Sequence, residues 1–329
     1  GFLMNFSVIN EKNNTVDGFA LIRKCNKKST AKGVSFLDIL LADKSGEINA
    51  KLWDYNEETH GVFEVNTIVK VRGTISAFNG DDQLRIERIR KVVDSDQINI
   101  DDYVPTAQYN GEDMFNQLLS IVSNFNDNDL KILTAELLNE YRERLLYFPA
   151  AFRLHHAIRG GLLLHTLSIV RLAQGVCKVY PFVDNDLLIC GAILHDLGKT
   201  IEFKVSEIGV ADGYTVDGSL IGHIVRGAMA VRSAGEKLSI PEEKIRLVEH
   251  MILSHHGEPE FGAAVRPMFL EAELLSELDL MDARVYEIAQ AVSTTEQNDF
   301  SSRQWALDDR RLYNHGRTDM SKSTDLDIN

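Results

Sequence analysis

The sequence LLICGAILHDLGK, residues Leu187 to Lys199, decides the fold of the second half of the chain. Its first eight residues are apolar, which is typical of a helix that is buried on all sides. The segment then presents His195 and Asp196 side by side, before Gly198 ends the helix. Because an unpartnered buried charge is costly, this pair predicts a buried polar site.

Further histidines and aspartates stand in similar apolar helical surroundings. His165 lies within GGLLLHT, residues 160–166, and Asp279 interrupts a run of leucines in a late helix. Imidazole and carboxylate donors from five separate helices suit a divalent transition metal. The predicted metal ligands are His165, His195, Asp196, His223, His255, His256 and Asp279. Asp282, one turn after Asp279, is the alternative ligand, and Asp196 has two oxygens with which to bridge two ions.

The N-terminal part of the chain has the pattern of a small β-barrel. Short apolar alternations run from about Val16 to Val93, separated by the turn signals DKSG (43–46) and NGDD (79–82). This pattern predicts four or five strands and an OB-like barrel, a fold whose open face often binds single-stranded nucleic acid.

One segment of this barrel suggests a nucleic-acid-binding face. Alternation within Ile48 to Tyr55 places Lys51, Trp53 and Tyr55 opposite the apolar residues. Ordinary packing of the two aromatic rings is the alternative. A lysine run beside these strands is predicted either to extend the face or to form a solvated hairpin: Lys24, Lys27, Lys28 and Lys32.

After the barrel, every long segment has helical spacing of its apolar residues. We therefore predict a barrel domain over 1–95, a linker over 96–110, an all-α domain over 111–302 and a polar, flexible tail over 303–329. The fold class is a multidomain α and β protein.

Composition limits the class of function. The 329 residues carry a net charge of −14, which argues against indiscriminate coating of nucleic acid. Residues 1–95, however, hold 14 basic against 13 acidic side chains. Three scattered cysteines do not make a disulfide framework, and no apolar run approaches the roughly 20 residues that span a bilayer. We expect a cytoplasmic protein without a membrane partner.

A series of motifs, taken in order, resembles a known family. After the short barrel come HHAIRGGLLLHTLSIV (155–170), ILHDLGK (193–199), GHIVRG (222–227), LSHHGEPEFG (253–262) and LDLMDAR (278–284). The pattern H…HD…D is that of the HD superfamily, and the whole series resembles the YhaM-type 3′→5′ exoribonucleases of Gram-positive bacteria.

The resemblance implies a mechanism. One ion would be held by His165, His195, Asp196 and Asp279, and another by Asp196, His223, His255 and His256. Two ions, with Mn placed before Co, Fe or Zn, would activate water for hydrolysis of single-stranded RNA, or of single-stranded DNA. Asp196 and Lys199 are the predicted catalytic residues. Lys199 either contacts phosphate or is an ordinary surface lysine that the dipole of the helix terminus favours. Arg159, Arg226 and Arg266 are further phosphate contacts or else ordinary ion pairs, and His155 and His156 are predicted to wall the substrate. A homo-oligomer is a further implication.

Two departures from the family pattern lie beside matched motifs. Leu164 stands where a Glu is usual, and Ala263-Ala264 stands where Ser-Pro is usual. The first would remove a carboxylate beside His165 and so affect metal affinity, and the second would reshape a loop near the substrate.

Two other functions fit the same residues. One is an HD-type phosphohydrolase that acts on nucleotides or cyclic dinucleotides, for which a longer strand brings no benefit. The other is a non-catalytic nucleic-acid-binding protein whose degenerate HD domain assembles subunits. Dependence on a polymeric substrate and retention of metal would distinguish the three.

Overall fold

In the computed structural model, which describes residues 15–151, 158–206 and 208–328, the chain divides between Thr106 and Ala107 into two units. Each unit has a hydrophobic core of its own. His155 and His156, predicted to wall the substrate, lie outside the described residues.

The first unit is built on a closed five-stranded barrel. Its strands are β1 (Thr15–Ser29), β2 (Ser35–Asp43), β3 (Gly46–Leu52), β4 (Ile68–Phe78) and β5 (Asp81–Lys91). They follow the order β1-β2-β3-β5-β4, with β1 also paired to β4, and β3 and β5 are the parallel neighbours. A short helix, α1 (Glu57–His60), lies between β3 and β4. The predicted OB-like barrel is therefore confirmed.

Local sequence explains the tight turns and the alternating strands of the barrel. Asn79 and Gly80 join β4 to β5, both with positive φ (53° and 87°), as a two-residue hairpin turn requires. In β3, Ile48, Ala50 and Leu52 point into the core, as predicted.

The predicted alternation does not continue to Tyr55. Strand β3 ends at Leu52, and Asp54 has a φ of 52°, which bends the chain immediately after Trp53. Trp53 and Tyr55 thus follow the strand and do not belong to its outward face.

The segment predicted as a linker, 96–110, is held in place along its length. Tyr103 and Val104 are buried, and the Lys44 ammonium pairs with Asp102 at 2.8 Å across the first unit. In the second unit, the Ala107 amide donates to the Arg159 carbonyl at 2.9 Å. The linker is thus ordered structure on both sides of the division.

The second unit is mainly helical. Its helices are α2 (Gly111–Ser123), α3 (Asn128–Glu140), α4 (Arg142–Leu145), α5 (Gly161–Val179), α6 (Asn185–Leu194), α7 (Lys199–Glu202), α8 (Val216–Leu220), α9 (His223–Lys237), α10 (Glu242–Ser254) and α11 (Leu270–Ser293). A hairpin of β6 (Phe203–Val205) and β7 (Ala211–Tyr214), which the sequence did not predict, follows α7.

Helices α5 and α6 form the centre of this unit. Every residue of α6 from Asp186 to Leu194 is buried, because the helix has no polar face. Among the described helices, α5 has the length and composition to cross a membrane, but 56% of its most apolar window is buried within the protein.

The predicted flexible tail, 303–329, does not match the structure. Leu326 is 1% exposed and belongs to the core of the helical unit. The Arg171 guanidinium on α5 donates to the Leu326 carbonyl at 2.9 Å, and the Tyr109 hydroxyl accepts from the Leu326 amide at 3.1 Å. One buried leucine and two side-chain anchors outweigh the polar composition that suggested disorder.

Candidate metal centre

The end of α6 brings His195 and Asp196 into the middle of the helical unit. Both side chains are almost completely buried, at 0% and 2% exposure. Gly198 allows the following chain to pass directly against the start of α9, since a Cβ there would lie 1.9 Å from the carbonyl oxygen of His223. This close approach sets His223 beside Asp196.

The predicted ligand residues form two adjacent clusters. In each cluster, the donor atoms lie within 4.8 Å of one another. The first cluster is His165, His195, Asp196 and Asp279. The second cluster is His223, His255 and His256.

Asp196 lies between the clusters and directs one oxygen toward each. Its Oδ2 is 3.2 Å from His195 Nε2 and 3.5 Å from His165 Nε2. Its Oδ1 is 3.6 Å from His223 Nε2 and 3.5 Å from His255 Nε2. This is the arrangement of a carboxylate that could bridge two cations.

Carbonyl groups fix the orientation of three of these rings. His195 Nδ1 donates to the Ala192 carbonyl at 2.7 Å, and His255 Nδ1 donates to the Ile252 carbonyl at 2.6 Å. His256 Nδ1 contacts the Phe261 carbonyl at 2.8 Å. Such contacts select the tautomer that leaves Nε2 unprotonated and free to bind metal.

Carboxylates lie behind the other two histidines. Glu202 Oε2 is 2.9 Å from His223 Nδ1, and Asp282 Oδ2 is 2.6 Å from His165 Nδ1. Asp279 Oδ1 lies on the opposite side of His165, 2.9 Å from Nε2. Asp279 therefore faces the cluster and Asp282 stands behind it, which favours Asp279 as the ligand.

Four buried nitrogen and oxygen atoms of the predicted metal ligands have no hydrogen-bond partner within the described part of the chain. They are His195 Nε2, Asp196 Oδ1, His223 Nε2 and His255 Nε2. Buried polar atoms without partners are rare because each one costs free energy. A nitrogen and oxygen donor set with these atoms fits divalent transition-metal ions.

Opposing effects determine the charges of the two clusters. Burial lowers the pKa of His195, but Asp196 and Asp279 outweigh burial and raise it to about 9. Burial raises the pKa of Asp196, yet His195 and Lys199 hold it well below its ordinary value. In His255, burial dominates and lowers the pKa to about 4. Without a bound cation, the centre thus combines ionised carboxylates, a protonated His195 and a neutral His255.

A pocket of about 420 Å³ opens beside the clusters. Among the residues that line it are Asp196, Lys199, His255, His256, Arg266, Glu273, Ser276 and Glu277. Lys199 Nζ lies 3.0 Å from Asp196 Oδ2, and its side chain is only 12% exposed. Lys199 is therefore held at the edge of the pocket, next to the carboxylate that lies between the two clusters.

The three predicted arginines have different surroundings. Arg266 lines the pocket but pairs with Glu258 at 2.6 Å, and Arg226 pairs with Asp217 at 2.9 Å. Arg159 packs against Gly209, away from the pocket lining, since a Cβ on that glycine would lie 2.5 Å from Arg159 Cγ.

The predicted aromatic and basic residues of the barrel are only partly exposed. Lys51 pairs with Asp38 at 2.6 Å, and Trp53 is 39% exposed with its ring 4.7 Å from that of Phe36. Tyr55 stacks on His60 at 5.8 Å and donates its hydroxyl hydrogen to the Gly61 carbonyl.

Sequence reasoning missed Glu202 and left the role of Asp282 open. Glu202 follows Asp196 by six residues, and no helical spacing connects the two positions. Leu164 is buried in the core, and Asp282 supplies a carboxylate to His165. In the nearby loop, Ala263 is buried, and the Ala264 amide donates to the Leu253 carbonyl at 3.1 Å.

Comparison with known proteins agrees with this architecture. Residues 162–284 match the HD domain model, and residues 21–92 match the OB-fold nucleic acid binding domain model. The 3′-5′ exoribonuclease YhaM of Listeria welshimeri is 38% identical over 304 residues, which cover 92% of this chain and 96% of that protein. The chain belongs to the YhaM family.

Other YhaM proteins show the same extent of similarity. The 3′-5′ exoribonuclease YhaM of Bacillus licheniformis is 35% identical, with 93% of this chain and 96% of that protein covered. YhaM of Bacillus pumilus is 37% identical over 91% of this chain and 94% of that protein. The likeness to YhaM therefore includes both units.

Proposed function

We propose that this protein is a metal-dependent 3′→5′ exoribonuclease that hydrolyses single-stranded RNA. Single-stranded DNA is the second candidate substrate. The observation that carries the proposal is Asp196, buried between two histidine-rich clusters with one oxygen toward each. Membership of the YhaM family supports the direction of cleavage and the choice of substrate.

Two divalent ions are the cofactors that suit this centre. His165, His195, Asp196 and Asp279 would hold one ion, and Asp196, His223, His255 and His256 would hold the other. Bound ions would polarise the phosphodiester and lower the pKa of water for in-line attack on phosphorus. We place Mn first among the metals, with Co, Fe or Zn as alternatives.

Residues of the chain orient the substrate. Lys199 would direct its ammonium toward a phosphate oxygen, where it offsets negative charge that develops during attack. Arg266 could exchange its exposed pairing with Glu258 for a substrate phosphate, because surface ion pairs contribute little free energy. Arg226 and Arg159 are weaker candidates for the same role.

The barrel would hold the part of the strand that lies upstream of the cleaved nucleotide. We assign this role to Lys51, Trp53 and Tyr55, since aromatic rings stack on bases regardless of sequence, and Trp53 is 39% exposed. The domain boundaries that we propose are 1–95 for the barrel and 111–302 for the phosphohydrolase domain.

The compartment and the assembly are further parts of the proposal. Cys25, Cys177 and Cys190 are free thiols, which suits the reducing cytoplasm. A homo-oligomer is testable by light scattering of the purified protein.

The decisive experiment follows the shortening of RNA. Wild-type protein and Asp196→Ala are incubated with 5′-labelled single-stranded RNA and Mn²⁺, and the products are resolved on a sequencing gel. We expect a ladder that shortens from the 3′ end with the wild type and an intact strand with Asp196→Ala. Bound metal is measured in both proteins by mass spectrometry.

A matched control carries the same substitution on the surface. Asp113→Ala removes an exposed aspartate of α2 and should leave the ladder and the metal content unchanged. If metal-loaded wild type left the strand intact but cleaved cyclic dinucleotides or nucleotides, the exoribonuclease proposal would be wrong.

A further inference from the structure

The outer surface of β4 and β5 carries a row of basic side chains that the sequence analysis did not single out. Four of them are exposed and Lys70 is half-buried. We call this set the cationic band: Lys70, Arg72, Arg85, Arg88 and Arg90. The basic side chains of the first unit are thus concentrated on strands other than β3.

Positions within the band are opposed in the sheet register. In the register of β4 and β5, Arg72 lies directly opposite Arg88, and Lys70 lies directly opposite Arg90. Like charges at directly opposed positions destabilise a sheet. On its other side, Arg72 is opposite Asp17 of β1, and Lys70 is opposite Phe19. The contacts between β4 and β5, however, place like charges together, which the stability of the barrel does not explain.

Carboxylates neutralise little of the band. Arg90 forms a bidentate pair with Asp96 at 2.9 Å. Within the described residues, no carboxylate oxygen lies within 4.0 Å of the other four cations. Asp17 and Glu87 line the same groove as the band without forming such a pair.

The lysines on and beside the outward side of β3 are neutralised to a greater extent than the cationic band. Lys28 and Lys51 both pair with Asp38 at 2.6 Å, so two lysines share one carboxylate there and a single positive charge remains. The register of the parallel strands sets Arg85 beside Lys51. The cationic band therefore continues from the outward side of β3 onto β5 and β4. Its cations without a carboxylate partner among the described residues lie on these two strands.

We propose that the cationic band binds the phosphate backbone of single-stranded RNA, as a second contact surface of the barrel. The choice of RNA rests on the proposed function. Outward residues two apart on a strand are separated by about 6.7 Å, comparable with successive phosphates of an extended strand. His60 lines the groove and stacks on Tyr55, so the phosphate path leads to a ring assigned to base stacking.

The test removes two opposed cations. Arg72→Gln combined with Arg88→Gln relieves the repulsion and leaves the core intact, so the thermal midpoint should not fall. Binding of a labelled single-stranded RNA is measured by fluorescence anisotropy over a series of salt concentrations, with a chelator present to prevent cleavage. RNA shortening with Mn²⁺ is measured in parallel.

We expect the affinity to fall about 10-fold near physiological salt and the slope of log K against log salt to flatten by about 1.4, because each phosphate contact on a single strand contributes about 0.7. The control, Lys178→Gln with Lys237→Gln, changes the net charge equally on the helical unit and should bind as the wild type does.

Each outcome decides a different question. If the double variant binds RNA with wild-type affinity and wild-type salt dependence, the proposed role of the cationic band is wrong. The exoribonuclease proposal still stands in that case if the wild type shortens RNA. A wild type that binds RNA through the band but never shortens it overturns the proposed function alone. A wild type that does neither overturns both.

Discussion

The metal centre and the cationic band place charge in opposite environments. In the helical unit, the Nε2 atoms of His195, His223 and His255 are buried and have no hydrogen-bond partner among the described residues. On the barrel, Arg72 and Arg88 are exposed and solvated. Buried donors at fixed positions act as a unit, whereas solvated cations contribute separately and weakly. Substitutions in the first region should therefore abolish activity, and those in the second should reduce it by degrees.

Gly198→Ala should produce the largest effect after loss of Asp196 itself. The added Cβ would lie 1.9 Å from the His223 carbonyl oxygen, so α9 must shift away from Asp196. A displacement of about 1 Å costs on the order of 100-fold in rate. We expect at least this loss in RNA shortening, with less bound metal by mass spectrometry.

The control for this prediction is Gly175→Ala, in the exposed part of α5. Apart from its chain neighbours and the backbone of α5 itself, no atom of the described residues lies within 4 Å of the added Cβ there. That variant should keep full activity and gain up to about 1 kcal/mol in stability, because alanine favours a helix over glycine. Equal activity of the two variants would contradict the packing argument.

Glu202→Gln should have the next largest effect. The carboxylate 2.9 Å from His223 Nδ1 orients that ring toward Asp196. Removing such a partner typically lowers metal affinity or activity by about 10- to 100-fold. Metal titration followed by calorimetry, together with kcat on RNA, measures both quantities.

Glu249→Gln provides the comparison, since that glutamate pairs with Arg232 at 2.6 Å in the same unit but belongs to neither cluster. Its metal affinity should be that of the wild type. Should both variants lose metal equally, the effect of Glu202 would be one of general stability.

Trp53→Ala should weaken RNA binding to a smaller extent. Stacking of one base on an aromatic ring contributes about 1–3 kcal/mol. Because the substitution removes no charge, the salt dependence of binding should stay unchanged, in contrast to the Arg72 and Arg88 double variant. Anisotropy titrations compare it with Trp305→Ala, whose indole is 72% exposed on the helical unit.

The smallest effect concerns the cysteines. Burial raises the pKa of the Cys190 thiol to about 12. At pH 8, only roughly one molecule in ten thousand would carry the reactive thiolate. We expect alkylation of half-buried Cys25 to be faster than that of Cys190, measured by mass spectrometry of peptides. Rapid labelling of native Cys190 would show that the core around α6 opens.

Much of this architecture follows from periodicity and from the motifs. Turn signals and alternating residues predicted the barrel, and apolar helices carrying histidine predicted the residues that the structure brings together at Asp196. Glu202 was missed because it reaches His223 through the contact of Gly198 with α9, which no local spacing encodes. The anchored tail was missed because one buried leucine, Leu326, decides its path.

The register of the barrel was also beyond the reach of sequence. Arg72 and Arg88 are 16 positions apart, and only the pairing of β4 with β5 sets them side by side. Arg72 is opposite Arg88, but Gly73 is opposite Ile86, so β5 has one extra residue, Glu87, at this point. Alternation alone does not predict such a bulge.

Closure of the barrel has a consequence for association between chains. An open sheet presents a row of unpaired amides and carbonyls, to which a strand of another protein can add. Here β1 pairs with both β2 and β4, which closes the circle of described strands, and the shortest pairing in that circle joins β3 to β5 from Gln83 to Arg85. Closure therefore reduces the strand edge that neighbouring molecules could use as a template for β-aggregation, while the barrel displays its charged surface.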